Sequence, residues 1–293
     1  MLKLFEAFAG YGSQRMALRN LGIPFESVGI SEIDGDVILS YAAIHTDFLN
    51  QKSHYCNLNE SIMRKHLIDL NVPQDYRTFK NRVYSLKGTK LSDMYIANQL
   101  SKNYGDISTI DPSVLPDFDL FTYSFPCQDI SVSGYQKGLD KDSGTRSSLL
   151  WECCKIIENK KPKYLIMENV KNLVGRNHIH NFTKFLDYLS SLGYTNSWAV
   201  LNARNYGIPQ NRERVFCISI LNGELFEFPK PTALKIHLKD LLETENLERF
   251  ELSADQTAGA PILPDVAYCL DSNYWKGTFL SDYLEKHRRQ LVS

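Results

Sequence analysis

The sequence lacks the features that would mark a membrane protein or a disulfide-linked secreted protein. No apolar run approaches the roughly 20 residues of a membrane-spanning helix. The N-terminal stretch MLKLFEAFAG has one lysine, a short apolar run that contains Glu6, and no signal-peptide cleavage site. The six cysteines form no C-x-x-C pair, so a structural metal site is not expected. These absences favour a cytoplasmic protein with reduced thiols, no bound metal and no membrane partner.

The chain also lacks an excess of charge of either sign, with 33 Lys and Arg against 34 Asp and Glu. The net charge of −1 argues against a polybasic nucleic-acid tail, although it is compatible with a local basic face. No internal repeat and no low-complexity tract is evident. With 43% hydrophobic residues in 293 positions, the chain is long and apolar enough for one large domain, or for one large and one small domain.

Short apolar runs alternate with helical patterns through most of the chain, and this alternation predicts a parallel α/β sheet. Ser13 is the expected N-cap of the first helix and Gly22 its stop signal. The predicted strands cover residues 3–8, 25–33, 117–125, 163–170, 195–201 and 214–220, and the predicted helices cover residues 13–22, 36–45, 146–160 and 181–193.

Two stretches interrupt this alternation. Residues 46–104 are polar and show only a weak helical pattern, which indicates an insertion that contains helices. After about residue 222 the chain has prolines, the pattern of one short helix and no βα alternation. The sequence therefore predicts a first domain over residues 1–222 and a second region over residues 223–293.

Glycines follow the first predicted strand in the stretch FAGYGSQ, residues 8–14. Glycine between a strand and a helix allows a ligand to approach the backbone, and the helix N-terminus offers free N–H groups. A tight turn without a ligand explains the same pattern equally well, since the full G-x-G-x-x-G is absent. Glu32 ends the second strand about 20 residues later, where nucleotide-binding folds hold a ribose. A surface acid is the alternative for Glu32.

Cys127 and Glu168 each follow an apolar strand, so both are expected at the carboxyl edge of the sheet, where such folds bind ligands. A thiol and a carboxylate at one edge suggest covalent catalysis with proton transfer. A buried cysteine that acts as a small hydrophobic residue is the alternative. His178 and His180 are predicted to lie in a polar loop, so the pattern gives little support to a Cys–His hydrolase.

Two weaker signals complete the set. Asp106, in the stretch GDIS, could cap a ligand's amino group from a third strand, or it could belong to a simple turn before a strand. Arg212 and Arg214 alternate with Glu213 before a predicted strand, and a period of two would put both arginines on one face. They could contact an anion or a polar base edge, or form a solvated charged edge.

In this order, the motifs resemble those of the DNA (cytosine-5) methyltransferase family of bacterial and phage type. The matching segments are FAGYGS, SEID, GDI, FPCQ, ENV and QNRERVF, and the resemblance covers roughly residues 3–220. It implies a doubly wound, mostly parallel, Rossmann-like sheet of the S-adenosylmethionine-dependent methyltransferases. It also implies S-adenosyl-L-methionine as cofactor and double-stranded DNA as substrate.

The resemblance also implies roles for individual residues. Cys127 would attack C6 of a cytosine flipped out of the duplex, while Glu168 would hold and protonate N3. Arg214 would contact O2 with support from Arg212, and Asn169 and Val170 would shape the site. The matching cofactor-contact positions are Phe8, Gly10, Gly12, Glu32, Ile33, Asp106 and Ile107, with Ile33 where many members have an aromatic residue. In the glycine-containing loop 127–145, the residues expected to contact DNA or fill the vacated stack are Gln128, Ser131 and Lys137.

The sequence departs from the family after the arginine motif. Neither the R-x-L-T-x-x-E segment nor the G-N-S/A-V segment is present, so residues 223–293 are interpreted as the start of a target-recognition region. The chain could be one subunit of a split enzyme that needs a second polypeptide, a truncated form, or a non-catalytic relic that binds DNA or cofactor. Weak or absent activity is therefore expected of this chain alone.

The residues alone leave two further functions open. A nicotinamide-dependent oxidoreductase could share the opening βαβ unit, although the third glycine of its motif is replaced by Arg15. An RNA cytosine methyltransferase acting on tRNA is also possible, although such members tend to have PPCQ where this chain has FPCQ.

Overall fold

The computed structural model describes residues 1–51, 58–75, 78, 80–126, 149–242 and 265–268. The strands within these ranges are β1 (Leu2–Ala7), β2 (Phe25–Ser31), β3 (Leu120–Tyr123), β4 (Tyr164–Val170), β5 (Tyr194–Asn202) and β6 (Glu213–Leu221). The α-helices are α1 (Ser13–Asn20), α2 (Gly35–His45), α3 (Phe48–Gln51), α4 (Glu60–Asp69), α5 (Thr89–Leu100), α6 (Leu150–Lys160) and α7 (Ile179–Ser191).

The strands form one six-stranded sheet in the order β2-β1-β3-β4-β6-β5. β1 pairs in parallel with β2 and with β3, and β3 pairs in parallel with β4. The N–H groups of Leu221 and Asn222, at the end of β6, donate to the carbonyls of Lys163 and Gly193, which precede β4 and β5. β6 is therefore antiparallel to both neighbours. The predicted α/β fold with a mostly parallel sheet is confirmed.

The middle of the sheet is an aromatic core. Phe5 on β1 stacks on Phe118 at a ring-centroid distance of 5.1 Å, and Phe121 stacks on Tyr123 within β3 at 5.0 Å. All four side chains are buried, as expected for strands covered on both faces. Burial of each large apolar side chain stabilises the fold by roughly 1.5–3 kcal/mol, so this core holds the strand ends in register.

Residues 46–104 contain helices α3, α4 and α5. Their apolar side chains form one buried cluster with those of α2. The buried members are Ile38, Ala42, Phe48, Met63, Leu67, Val72, Val83, Leu91, Met94, Ile96 and Ala97. The inserted segment is thus packed on α2, and the apolar cluster that it shares with α2 holds it there.

The start of α1 differs from the prediction. Gly12 occupies the N-cap position with a left-handed backbone (φ 71°), and Ser13 is the first helical residue rather than the cap. A side chain at position 12 would collide with the rings of Tyr41 and His45 on α2. The close approach of α2 requires glycine at this position, so the chain enters the helix one residue earlier than the serine pattern suggested.

The prediction for His178 and His180 was wrong. His178 is buried at the N-terminus of α7 and His180 lies within that helix, so neither is in a polar loop. The polar stretch leads into a helix whose apolar residues reach the core, which local polarity does not indicate. For Asp106, the structure agrees with the second of its two interpretations, a turn before a strand, because Asp106 caps the short 3-10 helix Ile107–Thr109 ahead of β3.

The chain groups into two compact units. The first comprises residues 1–198 and 215–226, and the second comprises residues 199–214 together with the described residues from 227 onward. In the second unit, Ala267 exchanges two backbone hydrogen bonds with the segment before β6, one to Pro209 and one from Asn211, each of 2.7 Å. Among the described residues, no helix is long and apolar enough to cross a membrane.

Candidate active site

The glycine loop begins where β1 ends. Phe8, Gly10 and Gly12 all have left-handed backbones, with φ of 53°, 56° and 71°. This conformation is uncommon for a residue with a side chain, such as Phe8. The Phe8 N–H donates to the Ser31 carbonyl at 2.8 Å, which ties the loop to the end of β2. The loop therefore presents backbone at the carboxyl edge of the sheet, as the sequence predicted for residues 8–12.

Glu32 follows β2 directly, and its carboxylate joins the glycine loop to the loop after β2. Its Oε2 accepts the Gly10 N–H at 3.0 Å, and its Oε1 accepts the N–H groups of Ile33 and Asp34 at 2.8 and 3.0 Å. Burial raises the pKa of the carboxyl group, and the three backbone N–H groups act in the opposite direction. Since a carboxylate has about four acceptor positions, one position on Oε2 is left for a ligand hydroxyl.

Asp106 has a fuller set of partners. Its Oδ1 accepts the backbone N–H and the hydroxyl of Ser108, at 3.0 and 2.7 Å. Its Oδ2 accepts the side-chain amides of Asn71 and Gln74, at 3.1 and 2.9 Å. All four acceptor positions are therefore in use, and the Ser108 hydroxyl is the partner that can turn away most readily. Ile107, the next predicted contact, is buried.

Asn103 connects the positions of Glu32 and Asp106, and sequence reasoning did not identify it. Its Oδ1 accepts the N–H groups of Glu32 and Gly105, both at 3.1 Å, and its amide donates to the Glu32 carbonyl at 3.0 Å. The side chain is buried. The position of this asparagine two residues before the glycine of GDIS was the available signal, since Asn commonly caps such turns.

The end of β4 carries Glu168 and Asn169. In the parallel register Tyr123 pairs with Met167, so Phe125 and Pro126 follow alongside the end of β4. The Asn169 amide donates to the Phe125 carbonyl at 3.1 Å, and Asn169 is buried. Glu168 points to the opposite face of the strand and is half-buried. The structure thus fastens the segment before Cys127 to the strand that carries Glu168.

The two arginines belong to the second unit. Arg212 precedes β6, and its N–H donates to the Asn202 side chain at 3.2 Å. Arg214 is the second residue of β6, and its guanidinium donates to the carbonyl of Glu213 at 2.8 Å. Because Arg212 lies before the strand, strand alternation does not place its side chain. Both side chains are half-buried.

Cys127, Gln128, Ser131 and Lys137 lie outside the described residues, so their predicted roles stay predictions. Among the parts of the chain that the structure describes, no group of three or more His, Cys, Asp or Glu side chains is arranged to hold a metal ion.

A mostly parallel sheet with a glycine loop and a carboxylate at its carboxyl edge belongs to the class of α/β folds that bind nucleotide-like ligands there. Comparison with known proteins gives the family. Residues 63–279 match the family model described as C-5 cytosine-specific DNA methylase, which is more than half of the chain. The chain therefore belongs to the C-5 cytosine-specific DNA methylases, and it is a DNA (cytosine-5) methyltransferase of the bacterial and phage type.

The relatives include type II and orphan methyltransferases. The chain is 66% identical over its full length to the type II methyltransferase M2.ScrFI of Lactococcus lactis subsp. cremoris, of which it spans 82%. It is 39% identical over 84% of its length to the orphan methyltransferase M.SssI of Spiroplasma monobiae, of which it spans 67%. The crystal structure of S. pombe Dnmt2 methyltransferase aligns with 95% of this chain and 73% of its own, with a TM-score of 0.60 and 18% identity, which supports the fold.

Family membership decides between the functions that the residues left open. The DNA methylase predicted from the order of the motifs is confirmed, and a nicotinamide-dependent oxidoreductase is not. The family description also specifies DNA, the substrate that the FPCQ stretch favoured over tRNA. Use of S-adenosyl-L-methionine is general to methyltransferases of this family.

Proposed function

We propose that this chain transfers a methyl group from S-adenosyl-L-methionine to C5 of a cytosine flipped out of duplex DNA, through a covalent adduct on Cys127. The observation that carries the proposal is the arrangement at the carboxyl edge of the sheet. There the glycine loop is hydrogen-bonded to Glu32, and Asn169 beside Glu168 is hydrogen-bonded to Phe125, two residues before Cys127.

The cofactor would lie on the glycine loop. Bound there, S-adenosyl-L-methionine supplies an electrophilic methyl group. Glu32 has one free acceptor position for a ribose hydroxyl, and the absence of a side chain at Gly10 leaves room for a ligand to approach the backbone. Asp106 would accept from the adenine amino group, and Ile33 and Ile107 would contact the adenine ring.

The chemistry follows from what cytosine requires. C5 is a poor nucleophile, so the Cys127 thiolate first forms a bond to C6 while Glu168 donates a proton to N3, which limits the charge on the ring. C5 would then take the methyl group as the bond between that group and the cofactor's sulfur breaks, and S-adenosylhomocysteine would be left. A base removes the proton from C5, the C6–sulfur bond breaks, and the thiolate is regenerated. Arg214, supported by Arg212, would hold O2 of the base.

DNA recognition would involve the loop that begins at Cys127. The target atom is inaccessible in a stacked duplex, so the base must leave the helix, at a cost of a few kcal/mol. We propose that Gln128, Ser131 and Lys137 contact the backbone or fill the vacated stack. We place the activity in the cytoplasm of a bacterial or phage-infected cell, at the nucleoid when the protein is bound to DNA.

A covalent trap tests the proposal directly. Duplex DNA with 5-fluorocytosine at its cytosines is incubated with the chain and S-adenosyl-L-methionine, and the products are separated under denaturing conditions. Since fluorine cannot be removed as the C5 proton is, the adduct should persist after methyl transfer. We expect a cofactor-dependent adduct with DNA and none when NAD replaces the cofactor.

Absence of the adduct when both S-adenosyl-L-methionine and duplex DNA are present would overturn the proposed function in favour of a non-catalytic, DNA-binding or cofactor-binding role.

Glu32→Gln is expected to weaken binding of S-adenosyl-L-methionine about 10- to 100-fold, since hydrogen bonds to a charged acceptor contribute about 1.5–3 kcal/mol. The amide also cannot accept from Gly10, Ile33 and Asp34 as the carboxylate does. Isothermal titration measures the affinity. Glu26→Gln is the matched control, since Glu26 lies on β2, the strand before Glu32, in an exposed pair with Lys102. Equal affinities of the Glu32→Gln variant and wild type would exclude Glu32 as the ribose acceptor.

A further inference from the structure

The segment Leu70–Gln74, which follows α4 in the inserted region, lies against Asp106. Two side-chain amides from this segment, those of Asn71 and Gln74, donate to the same carboxylate oxygen, Oδ2. The Asp106 backbone N–H in turn donates to the Leu70 carbonyl at 3.2 Å. A residue far away in the sequence is therefore held by three hydrogen bonds from one short segment.

The same segment also reaches the loop after β2. The backbone N–H of Gln74 donates to the Ile33 carbonyl at 2.7 Å, next to the ribose-binding candidate Glu32. Gly105, with φ of 76°, lies so close to the Leu70 carbonyl that a side chain there would collide with it. The segment thus contacts both the loop after β2 and the turn at Gly105–Asp106, which carry the proposed cofactor contacts.

The donors in this segment are fixed in orientation. Both hydrogens of the Gln74 amide are used, since Nε2 donates to the Asn71 carbonyl at 2.9 Å as well as to Asp106. The Asn71 Oδ1 accepts from the amide of Asn81 at 3.0 Å, which sets the direction of its N–H groups. Gln74 is only 4% exposed, so water does not readily replace it.

The two oxygens of the Asp106 carboxylate therefore differ in how firmly their hydrogen-bond partners are held. Oδ2 is held by two locked amides, whereas Oδ1 is shared by the backbone and the hydroxyl of Ser108, an exposed residue. A hydroxyl can rotate away and bond to water at little cost, but a buried amide left without its partner loses about 1–3 kcal/mol. An incoming N–H donor should accordingly replace the Ser108 hydroxyl at Oδ1.

We propose that Asn71 and Gln74 are positioning residues that orient the Asp106 carboxylate so that Oδ1 accepts the 6-amino group of the cofactor's adenine. The inference rests on the proposed function and deepens it, because it gives the inserted region a role in cofactor selectivity. The two amides act through Asp106 and make no contact with the cofactor themselves.

The test compares two ligands on the full chain. S-Adenosylhomocysteine is titrated against an analogue whose purine lacks the 6-amino group, for wild type and for Gln74→Met, which removes the donor at similar volume. Loss of a properly oriented hydrogen bond to a carboxylate corresponds to about a tenfold change in affinity. We expect Gln74→Met to bind S-adenosylhomocysteine about tenfold more weakly than wild type does, and to bind the analogue with nearly the wild-type affinity. Gln99→Met is the matched control: it makes the same substitution at an exposed position of α5, and it should bind both ligands as wild type does.

Two further variants keep the test decisive if Gln74→Met folds poorly. Asn71→Ala, at a half-buried position, should also reduce the ratio of the affinity for S-adenosylhomocysteine to the affinity for the analogue, as expected for Gln74→Met. In Gln74→Glu two carboxylates face each other, so binding of S-adenosylhomocysteine should be weak at pH 8 and recover towards pH 6. At the lower pH a shared proton restores a donor to Oδ2.

The outcomes separate the inference from the proposed function. If wild type binds neither ligand, the proposed cofactor site is wrong and the inference fails with it. If wild type prefers S-adenosylhomocysteine but the variants weaken both ligands equally, Asn71 and Gln74 have only a structural role. Unchanged preference in the variants, together with no pH dependence in Gln74→Glu, would likewise overturn the inference.

Discussion

Replacing Cys127 with serine is expected to lower the methylation rate by at least about 10⁴-fold and to remove the covalent adduct with 5-fluorocytosine DNA. A serine hydroxyl is not ionised near neutral pH, so it cannot attack C6 as a thiolate does. Binding of duplex DNA and of cofactor should change little, because the substitution alters one atom. Single-turnover methyl transfer and the denaturing gel measure the two effects.

Three other cysteines, all within the described residues, provide a matched control. Cys153, Cys154 and Cys217 are buried, and burial raises the pKa of the Cys217 thiol to about 11. A thiol in such surroundings stays protonated and does not act as a nucleophile. Cys217→Ser, whose hydroxyl can bond to Ser219, should therefore keep both the rate and the adduct. An adduct retained by Cys127→Ser would assign the nucleophile to another residue.

Glu168→Gln is expected to lower the rate of methyl transfer by about 10²–10⁴-fold, the range typical of losing a general acid. The amide keeps the shape and a hydrogen bond to the base, but it cannot transfer a proton to N3. Adduct formation should slow by a similar factor, while cofactor affinity stays within about twofold because Glu32 and Asp106 are untouched. Stopped incubations with 5-fluorocytosine DNA measure the first effect, and isothermal titration measures the second.

Glu158→Gln is the control for this variant. Glu158 lies on α6, is exposed and accepts the hydroxyl of Tyr188 at 3.1 Å. Its replacement should change neither adduct formation nor cofactor binding. If Glu168→Gln formed the adduct at the wild-type rate, N3 protonation would have to come from elsewhere, and the proposed role of Glu168 would be withdrawn.

The alternation of strands and helices, and the location of Glu32 and Glu168 at the ends of strands, could be predicted because they depend on local patterns. The apolar run of β4 ends at Glu168 and Asn169, and in a parallel sheet this end lies at the ligand-binding edge. Glu32 could be found from its spacing after the glycines, since a βαβ unit has a nearly constant length. The boundary after residue 222, inferred from the loss of βα alternation, stays a prediction.

The predictions that failed depended on contacts between distant segments. Ser13 fits the N-cap pattern, but Tyr41 and His45 of α2 approach so closely that the chain turns at Gly12 instead. His178 follows a polar stretch, yet it is buried where α7 packs. A window of a few residues cannot show the first contact, because Tyr41 and His45 lie 29 and 33 positions from Gly12. It also cannot show that His178 is buried, because burial depends on how the helix packs.

The sequence by itself determined the family, the ordered motifs and the sheet edge where Glu32 and Glu168 would lie, because strand periodicity and motif spacing are properties of nearby residues. Only the tertiary structure decided how Asp106 is held. Asn71 and Gln74 lie in a polar segment with no recognisable motif, and they reach Asp106 across 35 and 32 positions of sequence. Their amides gain a role only when the buried core of α2, α4 and α5 brings that segment against the loop before β3.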